Sequence, residues 1–307
     1  MDFEEIEYTV EDGIATVALN RPDKLNAGTA RMVRELVSAV EMIDGDDDVR
    51  VAIVTGNGRA FCAGADLSSG GGTFDYEARR ATLGKEPETS AWGGEVPEGL
   101  DEEGRRMARN RDGAGLVTLA IFDCRKPIIA AINGPAVGMG ATMPLAMDIR
   151  MASTSARFGF VFAQRGIVPE GASTWFLPRV VGISQAAEWL YTGRVFDAEE
   201  ALAGGLLRSV HEPDDLLPAA RALAAEIAKG APVSVALTRR MLWRMLGADH
   251  PMEAHRVDTR GVMATGELAD AREGVLSFLE KRSPEFQMRV SQDFPDIFPG
   301  WTDPTFS

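Results

Sequence analysis

Cysteine and histidine are scarce in this chain of 307 residues, which holds two of the first and three of the second. Cys62 and Cys124 have no zinc-type spacing, and a single pair makes no disulfide framework, so the expected setting is a reducing cytoplasm. His211, His250 and His255 form no HExxH arrangement and sit away from any GxSxG serine elbow, so no metal site is expected and the histidines read as surface or packing residues. No stretch approaches the ~18 consecutive apolar residues of a membrane span. The start, MDFEEIEYTV, is acidic and alternating where a signal peptide is basic and then apolar. Positive charge is also in deficit: a formal net charge of −14 argues against nucleic acid or a membrane surface as partner, since both are polyanionic. Any anionic ligand must therefore be met by a local cluster of basic groups.

What remains is the composition of a folded protein, 45% hydrophobic and 25% charged, long enough to bury a large core. Apolar and polar residues alternate over residues 6–10 and 14–19 on either side of Glu11-Asp12-Gly13, which predicts a hairpin. Met32, Val33, Leu36, Val37, Val40 and Ile43 follow helical spacing, which predicts a helix over 29–43 that the acidic run 44–48 ends. Residues 50–54 and 127–133 read as buried strands, the second apolar without interruption, as in strands covered on both faces. A helix is expected over 114–123. Alternating strands and helices predict an α/β core.

Residues 68–112, with Gly70-Gly71-Gly72, Gly93-Gly94 and the basic run 105–111, read as an insertion or lid carrying a helix around 101–110. Beyond Gly182 the chain turns helical over 184–190, 198–203, 214–228, 233–246 and 268–281, with one strand at 206–210. The tail from Ser283 reads as extended and wrapped on a surface. The division expected is a core over 1–205 and a mainly helical region with its tail over 206–307.

Two small-residue turns follow buried strands: Ala63-Gly64-Ala65-Asp66 after the first, and 134–140 (GPAVGMG) after the second. Such residues leave backbone N–H groups uncovered, and a helix opening near Gly138 would aim its positive end at whatever lies beside it. Two turns of this kind suit an anionic oxygen held from two sides. The glycines at 138 and 140 lack the third glycine of a dinucleotide fingerprint, so a Rossmann site is not expected.

The segments LNRPDKLNA (19–27), AIVTGNGRAFCAGADL (52–67) and PIIAAINGPAVGMGA (127–141) together resemble the crotonase (enoyl-CoA hydratase/isomerase) superfamily. TGRVFDAEEA (192–201) and EGVLSFLEKR (273–282) extend the likeness over about residues 6–286. The resemblance implies an α/β fold, a crotonase-like ββα spiral core with a C-terminal helical oligomerisation region, assembled as a homotrimer or hexamer. It implies an acyl-CoA thioester as substrate, with CoA part of the substrate and no separate cofactor. The backbone N–H groups of Ala65 and Met139 would form an oxyanion hole for the thioester oxygen. The Ala63 carbonyl would meet the adenine, Lys24, Arg59 and Lys281 the phosphates, and Leu25, Asp66, Leu67 and Gly138 belong to the same CoA-binding surface.

The resemblance also divides the chemistry. Hydratases of the family use two glutamates, and the matching positions here are Thr142 and Phe162, neither of which is a carboxylate. Glu170, in IVPEGASTWFLP (167–178), falls where the Δ3,Δ2-enoyl-CoA isomerases carry one catalytic carboxylate. An ordinary Glu titrates near ~4.3, so burial beside Phe162, Trp175 and Phe176 is expected to raise it. The alternatives are hydration by non-standard residues, another acyl-CoA chemistry, and a binding-only acyl-CoA protein. Acyl-chain selection is expected to rest on 68–112, where Trp92 and Met107 are candidates for an acyl tunnel.

Overall fold

The computed structural model describes residues 3–77, 96, 98–304 and 306. Strands β1 (Ile6–Glu11) and β2 (Ile14–Leu19) pair antiparallel through a two-residue turn. Asp12 and Gly13 both hold positive φ, 52° and 76°, the conformation whose twist matches that of paired strands. The Thr29 hydroxyl accepts the Met32 N–H at 3.1 Å and starts α1 (Ala30–Gly45), whose buried residues Met32, Val33, Leu36, Ala39, Val40 and Ile43 form one stripe.

The strands β3 (Val51–Gly56), β4 (Ile128–Ile132), β6 (Ile149–Ser153) and β9 (Ser209–His211) continue the sheet in parallel, in the order β1-β2-β3-β4-β6-β9. A smaller sheet joins β5 (Ala136–Val137), β7 (Arg157–Gly159) and β8 (Val195–Asp197).

The uninterrupted apolar character of β3 and β4 has its cause in two covered faces. Ala52, Val54, Ile128, Ala130 and Ile132 pack in the main core with α1 and α3 (Gly113–Asp123). Val51, Ile53, Ile129 and Ala131 face Leu216, Ala220 and Ala224 of α8 (Pro213–Ala228). Each such buried Ile or Val contributes roughly 1.5–3 kcal/mol. Because side chains alternate across a strand, both sets must be apolar.

The helix expected at 101–110 is α2 (Glu102–Arg109), capped by Asp101. After the single turn α4 (Met139–Thr142) come α5 (Ser173–Val181), α6 (Ile183–Thr192), α7 (Ala198–Ala203), α8, α9 (Pro232–Met245), α10 (Pro251–Gly266) and α11 (Ala269–Glu280). Two of these were not expected. In α10 only Val257 and Gly261 are buried, so no apolar stripe marks it. In α5 the entry is a left-handed Ala172 without a side-chain cap, and Pro178 lies inside the helix. The strand expected over 206–210 shifts to β9, because buried Leu206 and Leu207 precede the residues that pair with β6.

From Ser283 onward the described tail contains neither helix nor strand. It wraps as expected, and its buried Val290, Ile297 and Phe298 anchor it. Arg125 Nη1 donates to the Val290 carbonyl at 2.9 Å. Among the described residues no helix is long and apolar enough to cross a membrane.

Candidate active site

The turn after β3 is held by two parallel bridges, Gly28 to Ala65, which ties it to the segment before α1, and Cys62 to Ala136, which ties it to the turn after β4. In the first, Gly28 N–H donates to Gly64 O at 2.7 Å and Asp66 N–H to Gly28 O at 3.0 Å. This pattern uses the groups on either side of Ala65 and turns its own N–H away from the bridge. On the other turn Gly138 N–H donates to Gly159 O at 2.9 Å, and Met139 begins the next helical turn. Among the described residues, neither Ala65 N–H nor Met139 N–H donates a hydrogen bond within the chain. Uncovered amides of this kind are rare away from bulk water unless a ligand satisfies them. The helix expected to open near Gly138 does open there, but α4 is a single turn, so it supplies local N–H groups rather than a large macrodipole.

Close backbone approach explains the glycines. A Cβ on Gly140 would overlap the Cys62 carbonyl oxygen, and Gly138 sits at φ 54°, ψ −121°, outside the usual range of other residues. Forcing atoms into a packed site costs typically about 1–3 kcal/mol. Gly140→Ala is therefore expected to lower the thermal midpoint by a few degrees in calorimetry. Gly266→Ala, where nothing lies within 4 Å, should leave it unchanged; equal midpoints for the two variants would remove the close-approach explanation.

Ala65 and Met139 open on a cavity of about 370 Å³, which Glu170 also lines. The Glu170 carbonyl is held by Ser173 Oγ at 2.7 Å, and Gly171 follows at φ 66°. Thr142 Oγ1 donates to Glu170 Oε1 at 2.7 Å, so the residue at the position of an absent hydratase glutamate instead orients this one. Glu170 keeps part of its surface open to the cavity, yet protein surrounds it on its other sides. Burial pushes its carboxyl up to about 8; the Thr142 hydrogen bond opposes the rise, and the nearby charge and hydrogen bonding of Asp112 add to it.

Phe162 lines the cavity, as do Ile167 and Pro169. Trp175 and Phe176, expected beside Glu170, are not among the lining residues; they pack with Phe122 at ring-centroid distances of 5.9 Å each. Cys62 is buried behind the turn, its thiol pushed up to about 11 by burial, which leaves it protonated and unreactive at neutral pH.

Of the residues read from sequence, Ala63, Ala65, Leu67, Gly138, Met139 and Glu170 come together around the cavity. Lys24, Leu25, Arg59, Asp66 and Lys281 do not line it. Leu25 holds the turn through its carbonyl, which accepts Ala63 N–H at 3.0 Å. Asp66 braces the loop: Ser68 N–H at 3.0 Å and Arg21 at 3.0 Å hold its carboxyl below the usual range. Lys281 ends α11 at φ 57°. Met107 is half exposed and off the cavity wall, and Trp92 lies outside the described residues.

The residue that sequence reading missed is Asp112, which caps α3 and lines the same cavity. Its available signal was a helix-start pattern, an Asp before Gly-Ala-Gly and an apolar run.

The family described as Enoyl-CoA hydratase/isomerase matches residues 9–92 and 75–289. An enoyl-CoA hydratase of Alternaria alternata is 38% identical over 278 residues, covering 90% of this chain and 83% of that protein. A 1,2-epoxyphenylacetyl-CoA isomerase of Escherichia coli strain K12 is 32% identical over 283 residues, covering 90% and 96%. Among solved structures, one described as a putative enoyl-CoA hydratase from Streptomyces coelicolor A3(2) superposes with a TM-score of 0.77 at 31% identity, over 93% of this chain and 95% of that one. The α/β core and C-terminal helices are thus those of the crotonase fold.

Proposed function

Since the chain belongs to the enoyl-CoA hydratase/isomerase family, we propose that it shifts the double bond of an enoyl-CoA thioester, with Glu170 as the single acid and base. Ionised Glu170 takes a proton from C2 of a 3-enoyl thioester. The C–H electron pair moves into the C1–C2 bond, and the thioester oxygen becomes negative. The N–H groups of Ala65 and Met139 hold that oxygen, stabilising charge where it develops. Protonated Glu170 then returns its proton to C4, and the double bond settles between C2 and C3. CoA belongs to the substrate, and no further cofactor enters the reaction.

The observation that carries this reading is one carboxyl with raised proton affinity in a cavity shared with two unpaired backbone N–H groups. A second reading, water addition, draws support from the Alternaria alternata relative named a hydratase. Lys24, Arg59 and Lys281 are proposed to contact the CoA phosphates.

The test is a turnover screen across 3-enoyl-CoA and 2-enoyl-CoA esters of varied chain length, read by the absorbance of the conjugated thioester and by product chromatography. Appearance of 2-enoyl-CoA from 3-enoyl-CoA is expected. Rapid conversion of 2-enoyl-CoA to a 3-hydroxyacyl-CoA selects hydration, and binding without turnover selects a non-catalytic role.

The oligomer is part of the same proposal. Val262 and Met263 of α10 are 72% and 66% exposed, and Phe278 and Leu279 of α11 are 81% and 69% exposed, an apolar surface more costly to hydrate than to bury against another copy. Light scattering should give three or six times the 33.1 kDa chain mass. Joint Phe278→Asp and Leu279→Asp substitution should yield the single-chain mass; a monomeric parent protein overturns this part.

A further inference from the structure

Asp112 stands at a junction that its role as a helix cap does not exhaust. Its Oδ1 accepts Gly115 N–H at 2.5 Å, which starts α3, and also Gly171 N–H at 3.0 Å, 59 residues away and immediately after Glu170. One carboxylate oxygen therefore fixes both a helix start and the backbone that presents Glu170. Gly171 is confined on its other side as well, since a Cβ there would lie 3.0 Å from Thr142 Oγ1. The Asp112 and Glu170 side chains meet in hydrogen-bond contact, and both line the cavity.

Two carboxyls this close favour a proton held between them, because two like charges at this range repel, so a negative Asp112 raises the proton affinity of Glu170. Thr142 Oγ1 already donates to Glu170 Oε1, so Asp112 is the acceptor toward which a protonated Glu170 can donate. The other titratable or charged groups near this pair are Arg111, next to Asp112 and in electrostatic contact with it, Cys62 behind the Ala63 turn, Arg165 on the short turn after Phe162, and Tyr76 at the cavity wall. The Cys62 thiol stays protonated, so Asp112 is the group in direct contact that carries charge of the same sign as Glu170.

We propose that Asp112 is the positioning residue of Glu170, holding the loop that presents it through Gly171 N–H and accepting a hydrogen bond from its protonated carboxyl. The inference rests on Glu170 as the acid and base, and it adds a second carboxyl that sets when Glu170 becomes a base. Asp112 acts through Glu170, and its charge moves the acidic limb of the reaction upward.

The test uses Asp112→Asn in the full chain. The amide oxygen can still accept both backbone N–H groups, so α3 and the Gly171 tether are retained, while the negative charge is lost and an N–H now faces Glu170. The acidic limb of kcat/KM for double-bond migration is expected to move to lower pH by about one unit or more. Asp112→Ser, which keeps a capping oxygen without charge, should move it the same way and serves if the Asn variant folds poorly. Infrared titration of the Glu170 carboxyl, assigned by its disappearance in Glu170→Gln, should show the same shift without any turnover. An unmoved limb and an unmoved carboxyl titration in a folded variant overturn the proposal and leave Asp112 a helix cap only. If the carboxyl titration moves but Glu170→Gln remains fully active, the pairing stands and the catalytic role of Glu170 fails.

Discussion

Glu170→Gln is expected to slow double-bond migration by roughly 10²–10⁴-fold, the usual contribution of one positioned acid or base. Gln keeps the oxygen that accepts from Thr142 Oγ1, so the fold and substrate binding should be retained. A steady-state comparison of kcat and KM checks this, and a variant with undiminished kcat would remove Glu170 from the chemistry.

The pH dependence follows with a definite sign. In the proposed mechanism the first proton transfer needs ionised Glu170, so kcat/KM should rise with pH and level off above about 8, where burial has placed the group. Folding stability runs the opposite way. The native carboxyl binds its proton more tightly than the unfolded one, whose value is near the model-peptide ~4.3. Its stabilising contribution is complete below that value and lost as pH rises through about 8. Thermal midpoints of the unsubstituted protein and Glu170→Gln should therefore agree below about pH 4, diverge progressively up to about pH 8 and stay apart above it, with the glutamine variant the more stable. Parallel midpoints across that range would show that Glu170 titrates normally.

The second large effect is expected at a position where side-chain changes would reveal little. On the proposed mechanism Ala65 acts through its N–H, and replacing that N–H by an ester oxygen, with the alanine side chain retained, would remove one donor to the thioester oxygen. Losing one such donor costs about 2.7–4 kcal/mol, or about 10²–10³-fold in kcat. Ala65 N–H makes no hydrogen bond within the chain among the described residues, so the same replacement should leave the thermal midpoint unchanged. The equivalent replacement at Asp66, whose N–H donates to Gly28 O at 3.0 Å, should lower stability instead. A loss of stability without loss of rate at Ala65 would show that its N–H serves the fold.

These contrasts indicate what was readable in the chain and what was not. The hairpin, α1 and the doubly covered strands β3 and β4 were legible because each carries a periodic apolar pattern whose period matches its burial. The two turns were legible through the family motifs that carry them, since small residues and glycines after a buried strand would by themselves equally serve tight turns and close packing. Helix α10 was not legible, since it buries only two positions and so carries no stripe. Helix α5 was hidden by Pro178 and by an entry without a capping side chain.

At the site, Glu170 was found through its place in a family motif, whereas Asp112 was missed because its contact with Glu170 spans 58 positions and depends on how α3 meets the 167–172 loop. Thr142 was read only as a missing carboxylate. Its hydrogen bond to Glu170 Oε1 at 2.7 Å gives it a positive role that no local pattern contains. Burial beside Trp175 and Phe176 was expected from adjacency along the chain, but a helix turns successive residues in different directions, and these two pack with Phe122 instead.

Isomerisation by a single carboxylate is tested most directly by mass analysis of the products formed from 3-enoyl-CoA in water enriched in heavy oxygen, with the unsubstituted protein and Glu170→Gln side by side. The predicted result is 2-enoyl-CoA of unchanged mass, formed by the unsubstituted protein and nearly absent with the variant. A 3-hydroxyacyl-CoA carrying the heavy oxygen as the main product, formed equally fast by both proteins, would contradict it.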